Sequence, residues 1–225
     1  DSLKDYYDYA AENTEELKTL STSFLVSVTE FFRDKTSFDA LFPVLTDIIE
    51  QVGEKRSIRI WVPACATGEE VYSIAMLLSE QLGSAINDYS IKIFATDLNP
   101  ASLEFARQGI YSSASVANIE PETLEKYFYE VGDDYRIKKW VRDLCMFATH
   151  DLTKDPAFLR VNLVSCRNIL IYLETALQEK IINSFHYSLM TNGYLFLGKS
   201  EAITRESEKL FEALDKSHRI YRRKS

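Results

Sequence analysis

Residues 193–200 read GYLFLGKS and satisfy, letter for letter, the spacing of a phosphate-cradling loop. Such a loop binds a nucleoside triphosphate by aiming successive backbone N–H groups of an irregular, glycine-rich turn at the phosphates, at a helix start. Here the four residues between the glycines are Tyr194, Leu195, Phe196 and Leu197. Aromatic and branched apolar side chains of this kind build a buried strand, whose N–H groups are committed to a sheet ladder. The match is therefore read as accidental. Gly193 is expected to turn the chain after a helix, and Gly198 to mark the end of a strand.

A second chemical possibility is a thiol. Cys65, Cys145 and Cys166 are widely spaced, with no CxxC pair and no HExxH in the chain, so no metal site is expected. Cys65 has no histidine or other base nearby in sequence and is read as a small loop residue rather than a nucleophile. Unpaired cysteines suit a reducing compartment, and the expected location is cytoplasmic.

These residues must be positioned by an alternating chain. Asn13 with Glu16 gives a capping signal for a helix over residues 13–28, followed after RDKTS by a helix over 38–52. The apolar stripe of this second helix is Phe38, Leu41, Phe42, Leu45, Ile48, Ile49 and Val52. Strands are expected at 58–62, 91–96, 161–166 and in GYLFLG, with helices over 70–82 and 175–190. Asn99 can cap a further helix with Pro100 at its first position. Strands alternating with helices predict an α/β fold with a mainly parallel sheet covered on both faces. Residues 110–150 break the rhythm. PETLEKYFYE reads as a short helix, and YRIKKWV and LCMFAT read as hairpin partners joined by Arg142 and Asp143, within a small inserted β subdomain.

A net charge of −8 over 225 residues argues against a broad nucleic-acid surface. The basic end HRIYRRKS is expected to be a solvated tail. No apolar run approaches the roughly 20 residues that span a bilayer, and no direct membrane insertion is expected. The chain begins at Asp1 without methionine and is expected to be a piece of a longer protein or a trimmed chain.

In an open parallel sheet, ligands bind beyond the carboxyl ends of the strands. Those ends carry Ala64 to Glu70, Asp97, His150-Asp151-Leu152, Cys166-Arg167-Asn168 and Gly198 to Glu201. Asp97 at the tip of the second strand can accept from both hydroxyls of a ribose, or it can cap the next helix; both readings fit the sequence. The loop after the first strand has only Gly68 and no G-x-G-x-x-G, so a dinucleotide pyrophosphate lacks its cradle. A nucleoside without phosphates fits better, and S-adenosylmethionine (SAM) is the common one.

SVTEFFRD (27–34), ACATGEEVYSIAM (64–76), FATDLNPASLEFARQGIY (94–111), SCRNILIYL (165–173) and GYLFLGKSEAI (193–203) resemble, in order, the CheR-type chemoreceptor glutamate methyltransferases. The resemblance implies a Rossmann-like SAM-dependent methyltransferase with a small inserted β subdomain and a short N-terminal helical segment. Boundaries are expected at 1–53 for the helical segment and 54–225 for the methyltransferase domain, with the insertion at about 112–149. By the same resemblance, Ser27, Thr29, Arg33, Ala64, Glu70, Asp97, Asp151, Leu152, Asn168 and Ile169 bind the cofactor. Of these, Glu70 takes the methionine end, Asp97 the ribose, and Asp151 with Leu152 the adenine. Arg33 and Tyr172 are the implied catalytic pair.

Several positions depart from the family pattern. Ser27 stands where Asn is frequent, Ala64-Cys65-Ala66 where Gly-Cys-Ser is usual, Val71 where proline is usual, and Lys199 where histidine is usual. The last change creates the phosphate-loop lookalike. Of the family's longer N-terminal helical domain, only the final portion is expected within this sequence.

The implied reaction moves a methyl group from SAM to glutamate side chains of a chemoreceptor or related signalling protein, leaving S-adenosylhomocysteine (SAH). A carboxylate is already ionised at neutral pH, so no general base is required. Arg33 would grip a carboxylate, of SAM or of the acceptor, and Tyr172 would orient the acceptor unless it is a half-buried tyrosine at a strand end. A SAM-binding module without transferase activity, or a methyltransferase for another substrate, would carry the same pocket. Fusion to other signalling domains in a longer chain is also consistent with the truncated start.

Overall fold

The computed structural model describes Tyr9, Asn13 and residues 29–224. The helix expected over residues 13–28 and the predicted contact Ser27 thus lie outside the described residues. The first helix, α1 (Lys35–Val52), buries Phe38, Leu41, Leu45 and Ile48, spaced three or four apart as one helical face requires. Phe42, expected on that stripe, instead points outward and is 43% exposed.

Along the chain follow β1 (Ser57–Pro63), α2 (Glu69–Leu82), β2 (Ser90–Asp97), α3 (Pro100–Gln108), β3 (Ile110–Ser112), α4 (Ser113–Val116) and α5 (Pro121–Tyr127). Then come β4 (Phe128–Val131), β5 (Asp134–Ile137), α6 (Lys139–Arg142), β6 (Cys145–Thr149), β7 (Val161–Cys166), α7 (Thr175–Ser188), β8 (Leu189–Leu197), β9 (Phe211–Asp215) and β10 (Ile220–Arg223). Seven strands form one sheet in the order β6-β2-β1-β7-β8-β10-β9. The first five are parallel, and β10 runs antiparallel to both β8 and β9. This is the mainly parallel, Rossmann-like sheet that the alternating sequence requires.

Every residue of β7 is buried, as expected of a central parallel strand covered on both faces. Alternate side chains of the sheet feed two cores. Ile60, Ile93, Leu163 and Phe196 pack with α1 and α2 on one face. On the other face Trp61, Phe94, Val164, Leu195 and Tyr221 pack with Ile181, Ile182 and Phe185 of α7. The order reverses at β1 and β7, and the crevice between their carboxyl ends is where such sheets hold ligands.

The second sheet, β3-β5-β4, is antiparallel. Its hairpin joins β4 to β5 through Gly132, which takes a positive φ of 63°, and Asp133. The expected pairing of YRIKKWV with LCMFAT is not formed. Lys139–Arg142 is helical, and Cys145–Thr149 returns to the main sheet as its edge strand beside β2. The small sheet has no separate core, since Tyr111, Phe128 and Ile137 belong to the same cluster as α1 and β1.

Two further expectations are corrected. HRIYRRKS is no solvated tail: Ile220 and Tyr221 are 1% and 4% exposed, and β10 sits inside the sheet between β8 and β9. Gly193 is not a turn; it lies within β8, and the preceding Asn192 takes the left-handed conformation at φ 62°. Gly198 does follow the end of that strand. Tyr194, Leu195 and Phe196 are paired to β7 and β10, so GYLFLGKS offers no open nest for phosphates.

Candidate functional site

Beyond the carboxyl ends of β1, β2, β6 and β7 lies a cleft of about 560 Å³. Its floor is the β1–α2 loop. Ala64 and Ala66 both take left-handed φ values, 53° and 47°, and Gly68 follows at 94°. A non-glycine residue pays roughly 1–2 kcal/mol for this conformation, so Ala64 holds strain that a glycine there would not. A Cβ on Gly68 would lie 2.8 Å from Ala106 Cβ and 3.2 Å from the Tyr111 hydroxyl. Tyr111 in turn donates from its hydroxyl to the Thr67 carbonyl at 2.7 Å. The loop is thereby clamped between α3 and the small sheet.

Asp97 ends β2 against this loop. Its Oδ2 accepts from the Ala66 N–H at 2.8 Å and its Oδ1 from the Asn99 N–H at 2.9 Å. Four lone-pair sites on a carboxylate leave room for two more donors. The helix-cap alternative for Asp97 is filled by Asn99, whose side chain accepts from the Ala101 and Ser102 N–H groups at the start of α3.

Glu70, in the first turn of α2, reaches across to β7. It accepts from the Ser165 hydroxyl at 2.6 Å, and its second oxygen lies 3.7 Å from Arg167 Nη1. Burial pushes the Glu70 carboxyl above its ordinary range, opposed by Arg167 and by the Ser165 hydrogen bond. Arg167 has a side chain 0% exposed. Its guanidinium carbon lies 5.2 Å from the Phe38 ring centre and 4.8 Å from that of Phe196. Nη2 donates to the Arg33 carbonyl at 3.0 Å and to Asp34 at 2.9 Å, while Nη1 and Nε have no hydrogen-bond partner. Asp34 also lies 3.6 Å from Lys199.

The family model described as "CheR methyltransferase, SAM binding domain" matches residues 27–220. The chain belongs to the CheR methyltransferase family. It is 38% identical over 220 residues to an uncharacterized 104.1 kDa protein of Rhodobacter capsulatus, covering 97% of this chain and 23% of that protein. It is 35% identical to a chemotaxis protein methyltransferase of Listeria monocytogenes, over 81% of this chain and 68% of the relative. A chemotaxis protein methyltransferase of Borreliella burgdorferi is 31% identical over 90% of this chain and 74% of its own length. The chain thus spans less than a quarter of the first of these relatives.

SAM is the cofactor of the CheR domain, and the chemistry of the cleft fits it. A methionine end carries both an ammonium and a carboxylate. Glu70 is a buried acid whose ionisation a cation would favour, and Arg167 is a buried cation with an N–H lacking a partner. The two lie together in the cleft with Asp97, 3.7 Å apart and only loosely paired, so each keeps capacity for a ligand group of opposite charge.

Thr29, Arg33, Ala64, Glu70, Asp97, Asp151, Leu152, Asn168, Ile169 and Tyr172 all line this cleft. Within it, Asp151 is already engaged. Its carboxylate accepts from the Thr153 N–H and hydroxyl at 2.9 and 2.6 Å and pairs with Lys154 at 3.1 Å. Although burial works the other way, these contacts hold its carboxyl below the usual range. Leu152 and Ile169, with Leu98 and Leu173, supply an apolar wall. Tyr172 is neither half-buried nor on a strand; it closes a 3-10 turn, Leu170–Tyr172, and is 66% exposed. Burial, then the Asp97 and Glu70 charges, push the Cys65 thiol well up, which disfavours the thiolate.

Arg167 and Ser165 carry roles that sequence reasoning had not assigned. The available signal was a charged residue directly after VNLVSC, the run that became β7. What made it legible only in three dimensions is that both aromatic neighbours, Phe38 and Phe196, come from distant segments.

Proposed function

We propose that this domain transfers the methyl group of SAM to glutamate side chains of a chemoreceptor-like signalling protein in the cytoplasm. The observation that carries the cofactor half is the juxtaposition of Glu70, Arg167 and Asp97 in one cleft. The acceptor half rests on the chemotaxis methyltransferase relatives. Among the described residues no helix is long and apolar enough to cross a membrane.

SAM when bound supplies a methyl group on a sulfonium, reactive toward an ionised carboxylate. Asp97 accepts hydrogen bonds from the ribose hydroxyls, Glu70 faces the ammonium, and Arg167 with Arg33 faces the carboxylate. Leu152 and Ile169 exclude water from the adenine. Thr29 lines the same cleft, and the exposed Tyr172 donates to the incoming glutamate. None of these groups needs to remove a proton, because the acceptor is ionised at neutral pH. Their contribution is alignment and partial desolvation, an effect worth roughly 7–11 kcal/mol in favourable cases.

Calorimetric titration with SAH tests the cofactor assignment: Asp97→Ala weakens binding by about tenfold or more, the loss of one charge-assisted contact. Unchanged affinity in that variant removes the ribose assignment. Incubation with labelled SAM and receptor cytoplasmic fragments tests the acceptor; SAH binding without methyl transfer identifies a non-transferring module instead.

A further inference from the structure

Four backbone N–H groups converge on one buried carboxylate behind the cleft. Glu201 is 3% exposed. Its Oε2 accepts from the N–H groups of Gly198 at 2.7 Å and Asn168 at 2.9 Å. Its Oε1 accepts from those of Ile169 at 2.8 Å and Leu170 at 2.7 Å. Three of the donors come from the segment after β7 and one from Gly198 after β8, so the chain supplies both an anion-binding nest and its anion. Glu201 makes no ion pair with a cation among the described residues, so hydrogen bonds alone compensate its charge.

Gly198 makes the convergence possible. A Cβ there would lie 2.8 Å from Glu201 Oε2, 3.0 Å from the Asn168 nitrogen and 3.1 Å from Asn168 Nδ2. What the carboxylate ties down is the wall of the cleft. Asn168 has a left-handed φ of 62°, which a non-glycine residue avoids unless its surroundings impose it. The following turn has three residues, too few to hold a helical shape alone. Asn168, Ile169 and Tyr172 from this segment all line the cleft, whereas Glu201 does not.

We propose that Glu201 is a positioning residue of the cofactor site: its carboxylate, clamped by these four N–H groups, holds residues 168–172 in the shape that presents Asn168, Ile169 and Tyr172 to the ligands. The inference rests on the methyltransferase reading above. It differs from a purely structural role, in which losing Glu201 would lower global stability and leave the affinity of the folded protein unchanged.

The test compares wild type, Glu201→Gln and Gly198→Ala, using SAH titration at a temperature where each is folded, and hydrogen exchange of the 168–170 amides. Gln keeps the shape but turns donors toward two of the N–H groups. We expect SAH affinity to fall about tenfold in Glu201→Gln, because the binding-competent shape of residues 168–172 is then populated only in part. Turnover at saturating SAM falls by roughly a hundredfold as Tyr172 is displaced. Amide protection at 168–170 is lost while that of β7 persists. Gly198→Ala, which intrudes from the other side, gives the same pattern if Glu201→Gln does not fold. Wild-type affinity in the folded variants overturns the proposal, as does fast exchange of the 168–170 amides in the wild type. Failure of the wild type to bind SAH condemns the cofactor reading instead, and the exchange measurement then decides alone whether Glu201 shapes the segment.

Discussion

Glu70 is the acid whose protonation state the cleft controls most directly. Burial raises its pKa, with Arg167 and Ser165 opposing. A proton on Glu70 removes the negative partner for an ammonium. SAH affinity should therefore be full above the folded-state pKa of Glu70 and decline as pH falls through it, by at most about tenfold per pH unit for one proton. The stability of the ligand-free protein follows the opposite sense. A raised carboxyl binds its proton more tightly when folded, so its contribution is present at low pH and is lost as pH rises through the folded value. Calorimetric titrations from neutral to mildly acidic pH check this, with Glu70→Gln expected to bind weakly and without that pH dependence. A wild-type affinity that holds constant down to the ordinary glutamate range would contradict the assignment. At this scale much of the site was legible beforehand. Asp97 announced itself by standing at a strand tip before Asn99-Pro100, a pair that already supplied the helix start. Asp151 was legible as a position but not as a contact, because the local turn with Thr153 that consumes its carboxylate depends on loop geometry.

Tyr111 joins two elements that the sequence separates. It belongs to β3 of the small sheet, is 1% exposed, and holds the Thr67 carbonyl of the β1–α2 loop. Phe31, two residues before Arg33, packs edge-on against Tyr111 at 4.8 Å and against Phe128 of β4 at 5.5 Å. Tyr111→Phe keeps the ring packing and leaves the part-buried Thr67 carbonyl without its donor, a cost of about 1 kcal/mol. Because the loop is also the cofactor floor, SAH affinity should drop several-fold more than could follow from ring packing alone, and Tyr111→Leu should add a loss of stability. Equal SAH affinity in wild type and Tyr111→Phe would show that the clamp does not reach the ligand. Elements with local signatures were read well: VNLVSC gave β7 to the residue, and Asn99-Pro100 gave the start of α3. LCMFAT was paired with its sequence neighbour because adjacent strands usually do pair. Its actual partner, β2, lies across the whole small sheet. The IYRR strand was hidden by its two cations, Arg222 and Arg223, which follow directly on the buried Ile220 and Tyr221.

For the whole molecule, one core runs from α1 through the main sheet into the small sheet. The inserted sheet has nothing of its own to bury against, so heating should unfold the domain in a single transition. The two tryptophans report on different places. Trp61 is fully buried in the second core, while Trp140 on α6 is 40% exposed, its ring 5.6 Å from that of Tyr127. Fluorescence melts of Trp61→Phe and Trp140→Phe, each retaining one reporter, should follow their own circular-dichroism curves. A Trp140 signal lost well before the Trp61 signal would mark the small sheet as an independent unit.

The placement of β10 also constrains biosynthesis. β9 is made first, yet among the described residues its neighbour in the sheet is β10, and β10 is also what joins it to β8. While residues 220–223 are still inside the ribosome, the emerged part of the domain has β8 as an open border with the Leu195 and Phe196 backbone unpaired on that side. Pairing on that side of β8 must wait for β10, so this half of the sheet closes only once residues 220–223 have emerged.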